Sequence, residues 1–266
     1  MIERVTHKII KSGDVLEIYE YSEGYIKGYT LTEYEINNRK INNRTRTESN
    51  SDDTDSSRER SLKRAKANLR RLINANHGQY GDQFTSKFLT LTFKENIQDI
   101  KQANYEFTKF IKRLNYHCFG TKKANIKYTC VIEFQERGAI HYHVIIYNIP
   151  YIKASEISNI WGNGFIKINK IDDIDNVGAY VAEYLGQAEK GQGHDIEDDR
   201  LRGQKSYFSS KGLFKPIEIT DKKVVEQVAA ALPEDFLTYS ATYDNEHLGN
   251  ITYKQYNLKK MNSKGE

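Results

Sequence analysis

The stretch "AIHYHVIIYN" (residues 139–148) carries two histidines one residue apart in a run dominated by Val, Ile and Tyr. Such residues favour extended backbone, whose side chains alternate between two faces. His141, His143, Ile145 and Tyr147 then share one face, and Ile140, Tyr142, Val144 and Ile146 the other. Just upstream, "QERGA" fits a three-residue hairpin loop of Glu136, Arg137 and Gly138 with the glycine left-handed. That register sets Gln135 opposite Ala139 and Glu133 opposite His141, on the histidine face, with Cβ atoms about 5 Å apart. A histidine pair alone can be a tolerated feature of a core. Two imidazoles and a carboxylate converging from rigid strands suit Mn²⁺ or Mg²⁺ with open coordination positions, for Lewis-acid work, better than a closed structural zinc site.

A second pair lies downstream, in "DDIDNVGAYVAEYLGQ" (residues 172–187). The spacing predicts a helix from about Asp173 to Gln187, opened by Asp residues, with Ile174, Val177, Val181 and Leu185 as its buried stripe. Tyr180 and Tyr184 stand one turn apart at the edge of that stripe. With 19 tyrosines in the chain, packing is the ordinary role of such a pair. Beside a divalent ion, however, a deprotonated phenol can attack a phosphate.

The elements that must position these groups follow from periodicity. "FLTLTF" reads as a strand. Ile100, Ala103, Phe107, Phe110, Ile111 and Leu114 mark an amphipathic helix. "NIKYTCVIEFQ" gives a second strand and the histidine run a third, followed by a short helix near Ala154–Ile160, a strand in "GFIKINKI", the tyrosine helix and a short strand in "KSYFSS". This β-α-β-β-α-β order predicts an α+β, ferredoxin-like antiparallel sheet with helices on one face. Upstream, a helix capped by Ser56 or Ser57 buries Leu62, Ala65, Leu69, Leu72 and Ile73. Its other faces hold Arg58, Arg60, Lys63, Arg64, Lys66, Arg70 and Arg71 against the single acid Glu59, a one-sign cluster suited to phosphates, with Arg64, Arg70 and Arg71 the chosen DNA contacts.

At 266 residues and a formal charge of +4, the chain can bury a sizeable core and is compatible with nucleic acid. Two cysteines without a CxxC exclude a disulfide framework, and no signal peptide or long apolar segment is present, so a cytoplasmic, membrane-free protein is expected. The absence of GxxxxGK[ST] argues against a built-in helicase.

In order, "FLTLTF", "IEFQERGAIHYHVIIY" and "YVAEYLGQ" resemble the rolling-circle replication initiator (Rep) family of HUH endonucleases, over about residues 84–215. The resemblance implies a divalent metal, Mn or Mg, on Glu133, His141 and His143. It implies a tyrosine, Tyr184 first and Tyr180 second, that nicks one strand of origin DNA, forms a 5′-phosphotyrosine link and frees a 3′-OH for a host polymerase, with a host helicase. Family members often carry Lys three residues after the tyrosine; here those positions are Glu183 and Gln187, with Lys190 a substitute. Gln187 also keeps open a single-strand transposase, and a noncatalytic origin-binding regulator is the reading from another class. The expected organisation is a hairpin about Gly24 and a polar linker in residues 1–57, a basic helix in 58–83, the HUH endonuclease domain in 84–215 and an α/β extension in 216–266.

Overall fold

The structure is a computed structural model and describes residues 3–28, 51–135, 137–169, 171, 176–185 and 205–259, with the side chains of 51–58 left aside. The chain divides into two compact units, one of residues 59–215 and one of residues 1–58 with 216–266. Both are built on antiparallel sheets, so the α+β class stands.

The unit of residues 59–215 begins within α1 (Ser51–Asn74) and continues through β3 (Thr85–Thr92), α2 (Ile100–Phe119), β4 (Tyr128–Phe134), β5 (Ile140–Ile149), α3 (Ala154–Trp161), β6 (Ile166–Asn169), α4 (Val177–Ala182) and β7 (Tyr207–Ser209). Its sheet runs β6-β3-β5-β4-β7. Taken in chain order, the first four strands lie 4-1-3-2, the split β-α-β arrangement, and β7 extends the sheet beyond β4. On one face Leu89, Leu91, Cys130, Ile132, Ile140, Tyr142, Val144 and Ile146 meet Ala103, Phe107, Phe110 and Leu114 of α2 and Ile157 and Trp161 of α3. Those two helices lie on one face, as expected. The other face is not bare, however. Phe88, Val131, Ile145 and Tyr147 pack against Leu62, Leu69, Leu72 and Ile73 of α1 and Val177, Val181 and Ala182 of α4. The one-face placement therefore holds only for the two helices of the split motif. The alternation of β5 anticipates the second layer, because Ile145 and Tyr147 are too apolar to be left in water.

The other unit holds β1 (Glu3–Ser12), β2 (Val15–Lys27), β8 (Ile217–Ile219), α5 (Lys222–Ala231), β9 (Leu237–Asn245) and β10 (Gly249–Asn257) in a sheet ordered β8-β1-β2-β10-β9. Val225, Val228 and Leu232 of the α5 region cover Ile9, Leu16, Ile18 and Tyr256. The terminal hairpin turns at Gly13–Asp14, since Ser12 pairs with Val15, and not at Gly24. Gly24 instead sits at an irregularity in β2 with φ 72°, where a Cβ would run into the Val5 carbonyl. "SGDV" is the tight-turn signal that the aromatic run around Gly24 outweighed.

Two further expectations shift. α1 starts at Ser51, five or six residues before the serines read as its cap. The tyrosine helix is shorter than its periodicity suggests: α4 spans Val177–Ala182, and Asn176 caps it by accepting from the Ala179 N–H at 2.9 Å. Ile174, Gln187, Lys190 and the Asp residues at 172, 173 and 175 lie outside the described residues. Among the described residues no helix is long and apolar enough to cross a membrane.

Candidate metal centre and its tyrosines

The hairpin between β4 and β5 closes as its turn chemistry requires. The Gln135 N–H donates to the Ala139 carbonyl at 2.8 Å and Gly138 adopts φ 84°. Glu133 pairs directly with His141, and Val131 with His143. On the other side of β5, Thr92 pairs with His141 and Thr90 with His143. A strand paired on both sides cannot slip by one residue without turning Ile145 and Tyr147 to the opposite face along with the histidines.

Glu133, His141 and His143 thus present one ligand atom each within 4.8 Å of one another. His143 Nε2 lies 2.5 Å from Glu133 Oε2, and His141 Nδ1 lies 4.0 Å from the same oxygen. Two features make this cluster fit a divalent cation. His141 Nε2 is buried and has no hydrogen-bond partner among the described residues, an arrangement that costs about 1–3 kcal/mol unless something occupies it. His143 Nδ1 lies 3.2 Å from Thr90 Oγ1, a hydroxyl that can donate or accept. His143 can therefore present Nε2 as an N–H to Glu133 or as a lone pair to a cation, with Thr90 adjusting in either case. Asn169 Nδ2 approaches the same Oγ1 at 3.5 Å. Burial, with help from His143 and against the pull of Glu133, lowers the His141 pKa to about 4, so its ring is neutral and basic at physiological pH.

The tyrosines are carried over this face by α1. Buried Asn74 accepts from the Gly178 N–H at 2.7 Å and donates to Asn176 Oδ1 at 2.8 Å, fastening the start of α4. Gly178 allows the approach, because a Cβ there would collide with the Arg70 carbonyl. Tyr184 follows α4 in a tight turn, its N–H donating to the Val181 carbonyl at 3.2 Å. Its ring stacks on His143 with centroids 4.1 Å apart and planes 29° apart. Tyr180 packs edge-on against Phe88, and the two tyrosine hydroxyls lie 3.4 Å from each other. Burial raises the Tyr184 pKa above its ordinary value, and the Tyr180 hydrogen bond and the Glu133 charge push the same way. The structure thus gathers Glu133, His141, His143, Tyr180 and Tyr184.

Arg64 is exposed on α1, whereas Arg70 and Arg71 are half-buried. Sequence reasoning missed Thr90, Asn169 and Asn74. For Thr90 a partial signal exists: in "FLTLTF" the two polar positions alternate onto the histidine face.

A family model for replication-associated proteins of the ORF2 type matches residues 86–189. No curated protein and no solved structure matches. The matched stretch runs from β3 past the tyrosine turn, so the similarity to a replication-associated family covers Glu133, His141, His143, Tyr180 and Tyr184 and stops short of the basic residues of α1.

Proposed function

We propose that the unit of residues 59–215 is a metal-dependent DNA nicking and strand-transfer endonuclease that initiates rolling-circle replication. The observation that carries this reading is the Tyr184 ring lying on His143, one of three clustered ligand groups, within a stretch similar to replication-associated proteins. A divalent ion, Mn²⁺ or Mg²⁺, on Glu133, His141 and His143 would polarise the phosphodiester and stabilise charge developing on it. The Tyr184 oxygen attacks phosphorus, its proton passes to solvent as the O–P bond forms, and the P–O3′ bond breaks. The departing oxygen takes up a proton to become a 3′-OH, and the 5′ side stays linked to the tyrosine. Tyr180, with its hydroxyl 3.4 Å away, addresses the same centre and serves the second transfer that ends a round. Arg64, Arg70 and Arg71 would hold single-stranded origin DNA by its phosphates, while strand separation and synthesis fall to a host helicase and polymerase.

The test is denaturing-gel analysis and peptide mapping after incubating the full chain and Mn²⁺ with labelled single strands from the replicon that carries the gene. Expected is a covalent adduct on Tyr184, lost with EDTA. Tyr184→Phe loses most nicking, Tyr180→Phe nicks but transfers strands poorly, and the double variant forms no adduct. A full-strength adduct from the double variant would remove both tyrosines from the mechanism.

A further inference from the structure

The edge of the site sheet carries a feature that the metal centre and the tyrosines do not use. β6 is the outermost strand on the β3 side. Its Ile166 packs into the core against α2 and α3, so its neighbours Phe165 and Lys167 face the opposite way. Asn169, two residues beyond Lys167, fixes the face by reaching Thr90 Oγ1. Across the sheet Lys167 pairs with Thr90, which pairs with His143. The Thr92 N–H donates to the Phe165 carbonyl at 2.9 Å, and Thr92 pairs with His141, which pairs with Glu133. Phe165 and Lys167 thus continue the two rows that hold the candidate ligands, with Phe165 about two strand spacings, ~10 Å, from His141.

Phe165 is 67% exposed, an unusual state for a phenylalanine on the surface that holds the reactive groups, and Lys167 beside it is exposed as well. Its backbone is fixed: a Cβ on the preceding Gly164 would collide with the Thr92 carbonyl, so the chain is pressed against β3 at this point. A rigid aromatic with a cation two residues along the same face matches the chemistry of single-stranded nucleic acid, in which a base offers a π-face and the adjoining phosphate a negative charge. A duplex keeps its bases stacked on each other and offers no free face.

We infer that Phe165 and Lys167 form a single-stranded DNA subsite, Phe165 stacking on an unpaired base and Lys167 meeting the next phosphate, which holds the strand across the metal centre. This rests on the nicking reading for its substrate, though binding through the subsite needs neither metal nor cleavage.

The experiment is fluorescence anisotropy of the full chain with a labelled mixed-sequence single strand of about 20 nucleotides in EDTA. Phe165→Ala is expected to weaken binding about tenfold, and Phe165→Trp to retain it. Added single strand, but not duplex, should quench the new tryptophan, whose emission is distinguishable from that of Trp161, which is fully buried. Lys167→Gln should reduce the slope of log K against log salt by about 0.7. Unchanged affinity in Phe165→Ala with no quenching in Phe165→Trp overturns the inference, and if that same protein still nicks DNA with Mn²⁺, the functional reading survives alone. Weakened binding and quenching in a protein that forms no adduct would leave the subsite standing and remove the nicking reading.

Discussion

Two carboxylates lie on inner strands of the two sheets and are surrounded by opposite chemistry. Glu17 of β2 is 1% exposed, and the Tyr19 and Tyr253 hydroxyls donate to its Oε1 at 3.2 and 3.0 Å. Glu133 of β4 has imidazoles instead, one within 2.5 Å and one at 4.0 Å, beside a ring nitrogen without a partner among the described residues. Phenols complete a buried carboxylate by giving it protons. Neutral imidazoles compete with it for whatever positive charge arrives, and the group as a whole is completed by a cation. Residue type alone does not separate a structural glutamate from a ligand; the donors and acceptors around it do.

The sharpest way to break that contrast is to remove each carboxylate in turn. Glu133→Ala is expected to weaken Mn²⁺ binding by about 100-fold while changing stability by less than about 1 kcal/mol, because its partners can be met by water at the open side of the site. Glu17→Ala should do the reverse, leaving Mn²⁺ binding intact and lowering stability by about 2–3 kcal/mol, since two phenols lose their acceptor. Isothermal titration with Mn²⁺ and urea unfolding of both variants measure the two effects. Equal metal affinity in the wild-type protein and Glu133→Ala would erase the distinction.

A smaller effect sharpens it. Thr90→Val keeps the shape of the side chain and removes the hydroxyl facing His143 Nδ1, so the tautomer that offers Nε2 to a cation loses its support. Mn²⁺ affinity should fall about tenfold and return in Thr90→Ser. An equal fall in both variants would assign the effect to packing.

The smallest effect concerns pH. The His141 pKa falls from an ordinary value near 6.5 to about 4 on folding, so between these pH values the unfolded chain binds a proton that the folded chain does not. In metal-free protein the His141 contribution to stability is fully present above pH ~6.5 and is lost as pH drops toward ~4. His141→Gln should flatten that part of the stability curve measured by urea unfolding in EDTA. An unaltered curve would contradict the buried, neutral imidazole.

What the sequence reveals about this molecule follows the range of each interaction. The β4–β5 hairpin is local, so "QERGA" suffices to place Glu133 opposite His141, and the two helices of the split motif are legible from their apolar spacing. The layer formed by α1 over the site face is less so, because it depends on Asn74 meeting Gly178 and Asn176 about one hundred residues later. The same limit hides the sheet that joins both ends of the chain, in which Tyr19 pairs with Tyr253. The Thr90 contact spans 53 residues, and the local pattern of "FLTLTF" does not say which of its two polar positions will meet a histidine nitrogen.

The central claim is that Glu133, His141 and His143 together hold one divalent ion, and pulsed electron paramagnetic resonance of Mn²⁺ bound to the full chain tests it most directly. One ion per chain is expected, with modulation from two imidazole nitrogens, reduced to one in His141→Gln and unchanged in Tyr184→Phe. An ion whose spectrum shows no imidazole nitrogen, or one that survives unaltered in His141→Gln, would contradict the account.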